Sequence, residues 1–147
     1  MASHVPTQVV FACIHNAGRS QMAAALFNEL ADPARARAIS AGTRPGLQVH
    51  PVVLEVMQEV GVDLSGAKPQ RLTPELAAGS KVLITMGCGE ECPYIPGVER
   101  DDWPLEDPAH LPVEKVRPIR EEVRQRVTAL IRRHGWERAT RSGSEQR

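Results

Sequence analysis

The chain has 147 residues, with 18 Lys and Arg balanced by 18 Asp and Glu. That balance argues against the basic surface that nucleic acid or an anionic membrane requires, and no apolar run approaches the length of a membrane span. With 41% hydrophobic residues the chain can build one globular domain with its own core. Residues 8–13 (QVVFAC) are apolar and rich in β-formers, and read as a buried strand. Residues 20–30 place Met22, Leu26, Phe27 and Leu30 on one helical face before "ADP" stops the helix. Residues 37–42 (RAISAG) form a second strand closed by Gly42. In "HPVVLEVMQEVG", Pro51 opens a helix and Gly61 lies past its end, with Val53, Val56, Met57 and Val60 as its apolar stripe. Thr73 and Pro74 are the N-cap and first residue of a short helix stopped at Gly79. Residues 81–86 (KVLITM) are the third strand, and a loop rich in Gly, Pro and acid follows to about Pro112. A short fourth strand falls near "VERDDW". Val116, Ile119, Val123, Val127, Leu130 and Ile131 then recur at helical spacing, with Pro118 as a start or a kink and His134–Gly135 as the end.

These elements make a single domain over residues 1–136, with the polar residues 137–147 as a disordered tail. Strands alternate with helices and lack polar alternation, so the fold class is α/β with a parallel sheet covered on both faces. In such sheets the site lies beyond the carboxyl ends of the strands. Cys13 ends the first strand and residues 87–92 follow the third, so both cysteine regions are expected at one edge. The opening "MASHVPTQ" lacks the apolar core of a secretory signal. Three cysteines are too few and too odd for a disulfide scaffold. Both features point to a reducing, cytoplasmic setting.

"CIHNAGRS" (13–20) carries the chemistry. Five residues between Cys13 and Arg19 allow a tight curl whose backbone N–H groups point inward as a nest for an oxyanion. The following helix adds its free N–H groups and the positive end of its dipole. Arg19 can grip two oxygens of a tetrahedral anion in a fork, and the same field favours a thiolate at Cys13. The candidate cradle is therefore Ile14, His15, Asn16, Ala17, Gly18, Arg19 and Ser20. Gly18 suits a curled backbone, and Asn16 tolerates the left-handed region and can pin the loop with its amide. Ser20 can hydrogen-bond the sulfur, cap the helix, or do both. The His15 ring reads as solvent-facing or as loop packing, and not as catalytic.

Cys88 and Cys92 lie outside apolar runs, which favours reactive thiols over inert ones. Plain loop cysteines, or two ligands of a zinc site, are the alternatives, and zinc needs about four ligands. Asp107, directly before Pro108, is a candidate general acid within a loop that also carries Asp101, Asp102 and Glu106. Trp103 reads as packing that loop down.

"CIHNAGRSQMA" resembles the phosphate loop of low-molecular-weight tyrosine phosphatases, and more closely that of the arsenate reductases sharing their fold. "ISAGTRP", "MGCGEECP" and "DDWPLEDPA" fit in the same order, so the resemblance runs from about Gln8 to Gly135. It implies a flavodoxin-like, three-layer α/β fold with a four-stranded parallel sheet. It also implies a mechanism: Cys13 attacks arsenate held by the loop and Arg19, and Asp107 protonates the leaving oxygen. Cys88 then attacks Cys13 and releases arsenite, and Cys92 moves the disulfide to a Cys88–Cys92 pair at the surface. Gly87 and Gly89 would supply mobility for that relay. The implied reductant is thioredoxin, or a low-molecular-weight thiol with a glutaredoxin-like partner. No bound cofactor or metal is implied, phosphate and sulfate compete with arsenate, and the chain is expected to be a monomer without nucleic-acid or membrane partners. Two positions depart from the pattern. Three residues separate Cys88 from Cys92 where thioredoxin-coupled relatives have six, and Ala24 stands where some relatives carry a glutamate at a potassium site. Two other functions fit the same residues: a phosphomonoesterase using Cys13, Arg19 and Asp107, or a non-catalytic oxyanion-binding redox module. The absence of tyrosine from "LEDPAH" weakens phosphotyrosine recognition.

Overall fold

The computed structural model describes residues 5–88 and 92–139. Four parallel strands, β1 (Thr7–Cys13), β2 (Ala36–Gly42), β3 (Val82–Thr85) and β4 (Glu99–Asp102), form one sheet in the order β2-β1-β3-β4. The helices are α1 (Arg19–Leu30), α2 (Pro51–Gln58), α3 (Pro74–Ala77) and α4 (Val113–His134). β1 is central and buried on both faces, which explains its unbroken apolar run. Val9, Phe11, Val82 and Ile84 face a large core shared with α1, α2 and α4. Val10, Ala12 and Leu83 face the other side, where Ala77 of α3, Leu72, Cys88, Cys92 and Ile95 cover the sheet. That second layer is thin: one turn of helix and a cysteine-bearing segment replace long helices.

All four residues of β4 are exposed, and all are charged. β4 is an edge strand, and charge there blocks pairing with another chain. Trp103 follows directly and is buried, its ring 5.6 Å from Phe11 and under the Arg126 guanidinium, so it does pack the loop down.

Three local expectations change. α2 ends at Gln58, so Val60 leaves the apolar stripe and is exposed, while Val53, Val56 and Met57 are buried. Pro118 is the sixth residue of α4 and so does not mark its start; the carbonyl that its missing N–H leaves unpaired is that of the exposed Glu114, in the first turns. The ordered chain also continues past residue 136. Glu137 bridges Ala31, and the Arg138 side chain donates to the carbonyls of Asn28 and Glu29. The rest of the expected tail, residues 140–147, lies outside the described residues. No helix among them is long and apolar enough to cross a membrane.

Candidate active site

Cys13 is the last residue of β1, and the loop after it curls into the start of α1 at the carboxyl edge of the sheet. The segment at residues 43–50 straps this loop from outside. N–H groups of Thr43, Arg44, Gly46 and His50 donate to the carbonyls of Cys13, Ile14, His15 and Ala17, at 3.2, 2.8, 2.9 and 2.9 Å. In a trans peptide the carbonyl of one residue opposes the N–H of the next. Tying those four carbonyls outward therefore turns the N–H groups of Ile14, His15, Asn16 and Gly18 to the opposite side. Asn16 N–H accordingly donates to Cys13 Sγ at 3.3 Å. The strap needs Gly42, where a Cβ would sit 2.5 Å from the Ile14 carbonyl oxygen.

Cys13 is the free cysteine of the described residues and is buried. Ser20 Oγ lies 2.9 Å from its sulfur, and Asn16 Nδ2 donates to Ser20 Oγ at 2.7 Å. Ser20 is thus a partner of the sulfur and not a helix cap. The N-cap of α1 is Gly18, and no side chain caps it, because the helix begins one residue before Ser20. Asn16 has φ 52° and is fully buried, as expected for the residue that pins the curl. The His15 side chain is exposed, and the residue joins the site through its backbone.

Arg19 reaches across the site while 7% exposed. Its Nη1 donates to the Leu105 carbonyl at 3.2 Å and its Nη2 lies 3.7 Å from Asp107 Oδ2. Its Nε has no partner, the one such buried side-chain polar atom of the described residues. An unpaired guanidinium N–H at this depth is costly unless an anion takes it. Gly87 makes room for the guanidinium: a Cβ there would meet Nη1 at 2.5 Å, and its φ of +97° is left-handed. Gly87 thus has a role beneath Arg19 besides the mobility expected of it, and Gly89 lies outside the described residues.

Asp107 is half exposed, and its Oδ1 accepts from the Ala109 N–H at 3.0 Å. Pro108 lies over the anion loop: a Cβ on Gly18 would sit 2.7 Å from Pro108 Cγ and 3.4 Å from the His50 ring. Gly18 is therefore required for close approach, and that approach places Asp107 beside Arg19. Sequence reasoning missed His50. Burial pushes its imidazole below the usual value; Asp107 opposes this, and His110, His15 and Arg19 reinforce it. Its position directly ahead of Pro51, the first residue of α2, was the available signal.

Cys88 and Cys92 are joined in a disulfide with Cα atoms 5.7 Å apart. Three intervening residues are therefore enough to close the ring. Cys88 Sγ lies 4.0 Å from the Ala12 carbonyl oxygen, one residue before Cys13. The two cysteine regions do meet at one edge. The disulfide is not at the surface as expected: both cysteines are 4% exposed, packed with Val10, Ala12, Leu83 and Ile95. A sulfur in a disulfide is as apolar as its neighbours, so the thin layer closes over it.

Residues 8–140 match the model of the family described as low molecular weight phosphotyrosine protein phosphatase. A putative arsenate reductase from Halobacterium salinarum is 36% identical over 89% of this chain and 95% of its own length. A glutaredoxin arsenate reductase from Synechocystis is 34% identical over 84% of this chain and 95% of its own. Among solved structures, a thioredoxin-dependent arsenate reductase from Corynebacterium glutamicum superposes with a TM-score of 0.76 at 42% identity. That match covers 90% of this chain and 63% of the corynebacterial one, so the present chain spans less than two thirds of that protein. With the anion loop, the overlying Asp-Pro turn and the cysteine pair in one place, the chain belongs to the low molecular weight phosphotyrosine protein phosphatase family, on its arsenate reductase branch.

Proposed function

We propose that the protein reduces arsenate to arsenite with its three cysteines. The observation that carries this reading is the Cys88–Cys92 disulfide packed against β1 one residue from Cys13. Hydrolysis of a phosphate ester needs one thiol, whereas a two-electron reduction needs a second thiol to take up the oxidation.

The inward N–H groups and Arg19 hold the oxyanion, and the Cys13 thiolate attacks arsenic. Asp107 gives its proton to the departing oxygen, which leaves as water. Cys88 thiolate next attacks Cys13 Sγ. The sulfur–arsenic bond breaks with its electron pair going to arsenic, and arsenite leaves behind a Cys13–Cys88 disulfide. Cys92 thiolate then attacks Cys88 and expels Cys13 as a thiolate, giving the pairing of this structure. An external dithiol returns the two electrons. Thioredoxin suits a disulfide closed within one short segment, and a low-molecular-weight thiol with a glutaredoxin-like partner is the other reductant class that the named relatives support. Because Cys88 and Cys92 are buried, their sulfurs must become exposed before any reductant reaches them. The thiol chemistry fits a reducing cytoplasm. In this reading the chain acts as a monomer, and phosphate and sulfate compete for the cradle.

Two variants test the reading. With thioredoxin, its reductase and NADPH supplied, Cys13→Ser should form no arsenite. Cys88→Ser should also lose arsenate reduction yet still hydrolyse an aryl phosphate, since Cys13, Arg19 and Asp107 remain. Arsenite formation at the unmutated rate by Cys88→Ser would overturn the relay.

A further inference from the structure

Gln21 is the third residue of α1 and is 5% exposed, an unusual setting for a primary amide. Its Nε2 lies 3.0 Å from the Asn16 carbonyl oxygen, 3.4 Å from the Lys68 carbonyl oxygen and 3.3 Å from Asn16 Oδ1. Backbone carbonyls only accept, so the nitrogen end of the Gln21 amide must face them. A second polarity is equally fixed. Gln70 N–H donates to Asn16 Oδ1 at 2.9 Å, and a backbone N–H cannot accept. The oxygen end of the Asn16 amide therefore faces Gln70 and Gln21, and its Nδ2 faces Ser20 Oγ. Ser20 Oγ accepts there and keeps its own hydrogen, which is free to go to Cys13 Sγ, 2.9 Å away.

We propose that Gln21 is a positioning residue for the nucleophile: with the Gln70 N–H it locks the Asn16 amide so that Ser20 donates to the Cys13 sulfur. The inference rests on Cys13 being the nucleophile. A rotated Asn16 amide would offer its oxygen to Ser20, and the hydroxyl would turn its hydrogen away from sulfur and its lone pairs toward it. The thiolate would then exchange a donor for a repulsive contact. Rotation also sets Asn16 Nδ2 against Gln21 Nε2 and Gln70 N–H, donor against donor, which is why Gln21 opposes it. The charged and titratable groups of the site come from other positions: Arg19 on α1, His15 in the loop, His50 ahead of α2, and Asp107 and His110 on the turn before α4. A change at Gln21 leaves all of them in the chain.

The test uses the oxidised protein, in which the Cys88–Cys92 bond leaves Cys13 as the free thiol. Carboxymethylation by iodoacetate and ultraviolet thiolate absorbance are followed across pH, from acid to alkaline. Gln21→Met keeps the side-chain length without a donor, and Gln21→Glu keeps the shape but replaces the donor by an acceptor. Each should displace both profiles toward higher pH, read as a roughly tenfold loss of thiolate at pH values below the transition, the scale of one hydrogen bond to a charged group. In a Ser20→Ala background Gln21→Met should add nothing, because its effect passes through Ser20. Folded variants with unmutated alkylation and absorbance would overturn the proposal, as would an equal loss in the Ser20→Ala background. If the variants do not fold, the unmutated protein decides. Side-chain amide protons of Asn16 and Gln21 protected from solvent exchange support the lock, and exchange at the rate of a free amide overturns it. Neither readout uses arsenate, so a failure of arsenate reduction and a failure of this lock are separate results.

Discussion

The two cysteine-bearing segments leave adjacent strands at the same sheet edge and are held by opposite means. Around Cys13, four carbonyls are strapped by residues 43–50, and Asn16, Ser20 and Gln21 are buried in a hydrogen-bonded chain that ends on sulfur. Around Cys88 and Cys92, apolar contact with Val10, Ala12, Leu83 and Ile95 predominates among the described residues, supplemented by Arg100 Nη1, which donates to the carbonyls of Cys92 and Pro93 at 3.4 and 3.3 Å. Directional bonds fix a cradle that must meet developing charge without reorganising. Non-directional packing opens at lower cost than a set of directional bonds, which suits the proposed relay. Arg19 joins the two regions, since it belongs to the cradle yet rests on Gly87, the neighbour of Cys88.

Arg19→Lys should break the cradle most severely. A lysine ammonium cannot fork two oxygens, so arsenate turnover should fall roughly 10²- to 10³-fold. Steady-state kinetics measure this, and a near-normal kcat would remove Arg19 from anion binding. Gly18→Ala comes next. Its Cβ would meet Pro108 Cγ at 2.7 Å and displace the Asp107 turn, while the loop N–H groups remain. The expected outcome is a roughly 10- to 100-fold loss in kcat with phosphate inhibition little changed. Equal losses in kcat and phosphate affinity would mean that Gly18 shapes the cradle itself.

The smallest effect lies behind the site. Glu59 at the end of α2 accepts from Arg117 Nη2 at 2.6 Å and from Arg120 Nη1 at 2.9 Å, which tie it to α4. Chiefly the Arg117 hydrogen bond holds its carboxyl at about 2, below the usual 4.5. A depressed folded-state value stabilises above 4.5 and loses that contribution as pH falls toward about 2. Glu59→Gln should therefore lower the thermal midpoint slightly at neutral pH and converge with the unmutated protein in acid. The effect is small because the group is exposed. A gap that widens in acid would contradict the sign.

The elements that position the site were legible because β1, β3 and α4 carry unbroken or strictly periodic apolar patterns. The anion loop was legible because Cys13, Gly18, Arg19 and Ser20 are residue types with few other reasons to sit between a strand and a helix. What stayed hidden depends on distant contacts. The requirement for Gly18 comes from Pro108, and that for Gly87 from Arg19. Gln21 looks like an ordinary polar helix residue until the carbonyl of Lys68 arrives from another segment. The burial of the Cys88–Cys92 pair was invisible because it follows from the thinness of the second layer, which no local pattern encodes.

The most direct test of the central claim is a thiol count on fully reduced protein before and after arsenate, with no external thiol, followed by peptide mapping. The account predicts loss of two thiols per chain, one arsenite released, and Cys88 bonded to Cys92. An unchanged thiol count would contradict the intramolecular relay and leave the Cys13 loop as that of a phosphatase or of a reductase completed by an outside thiol.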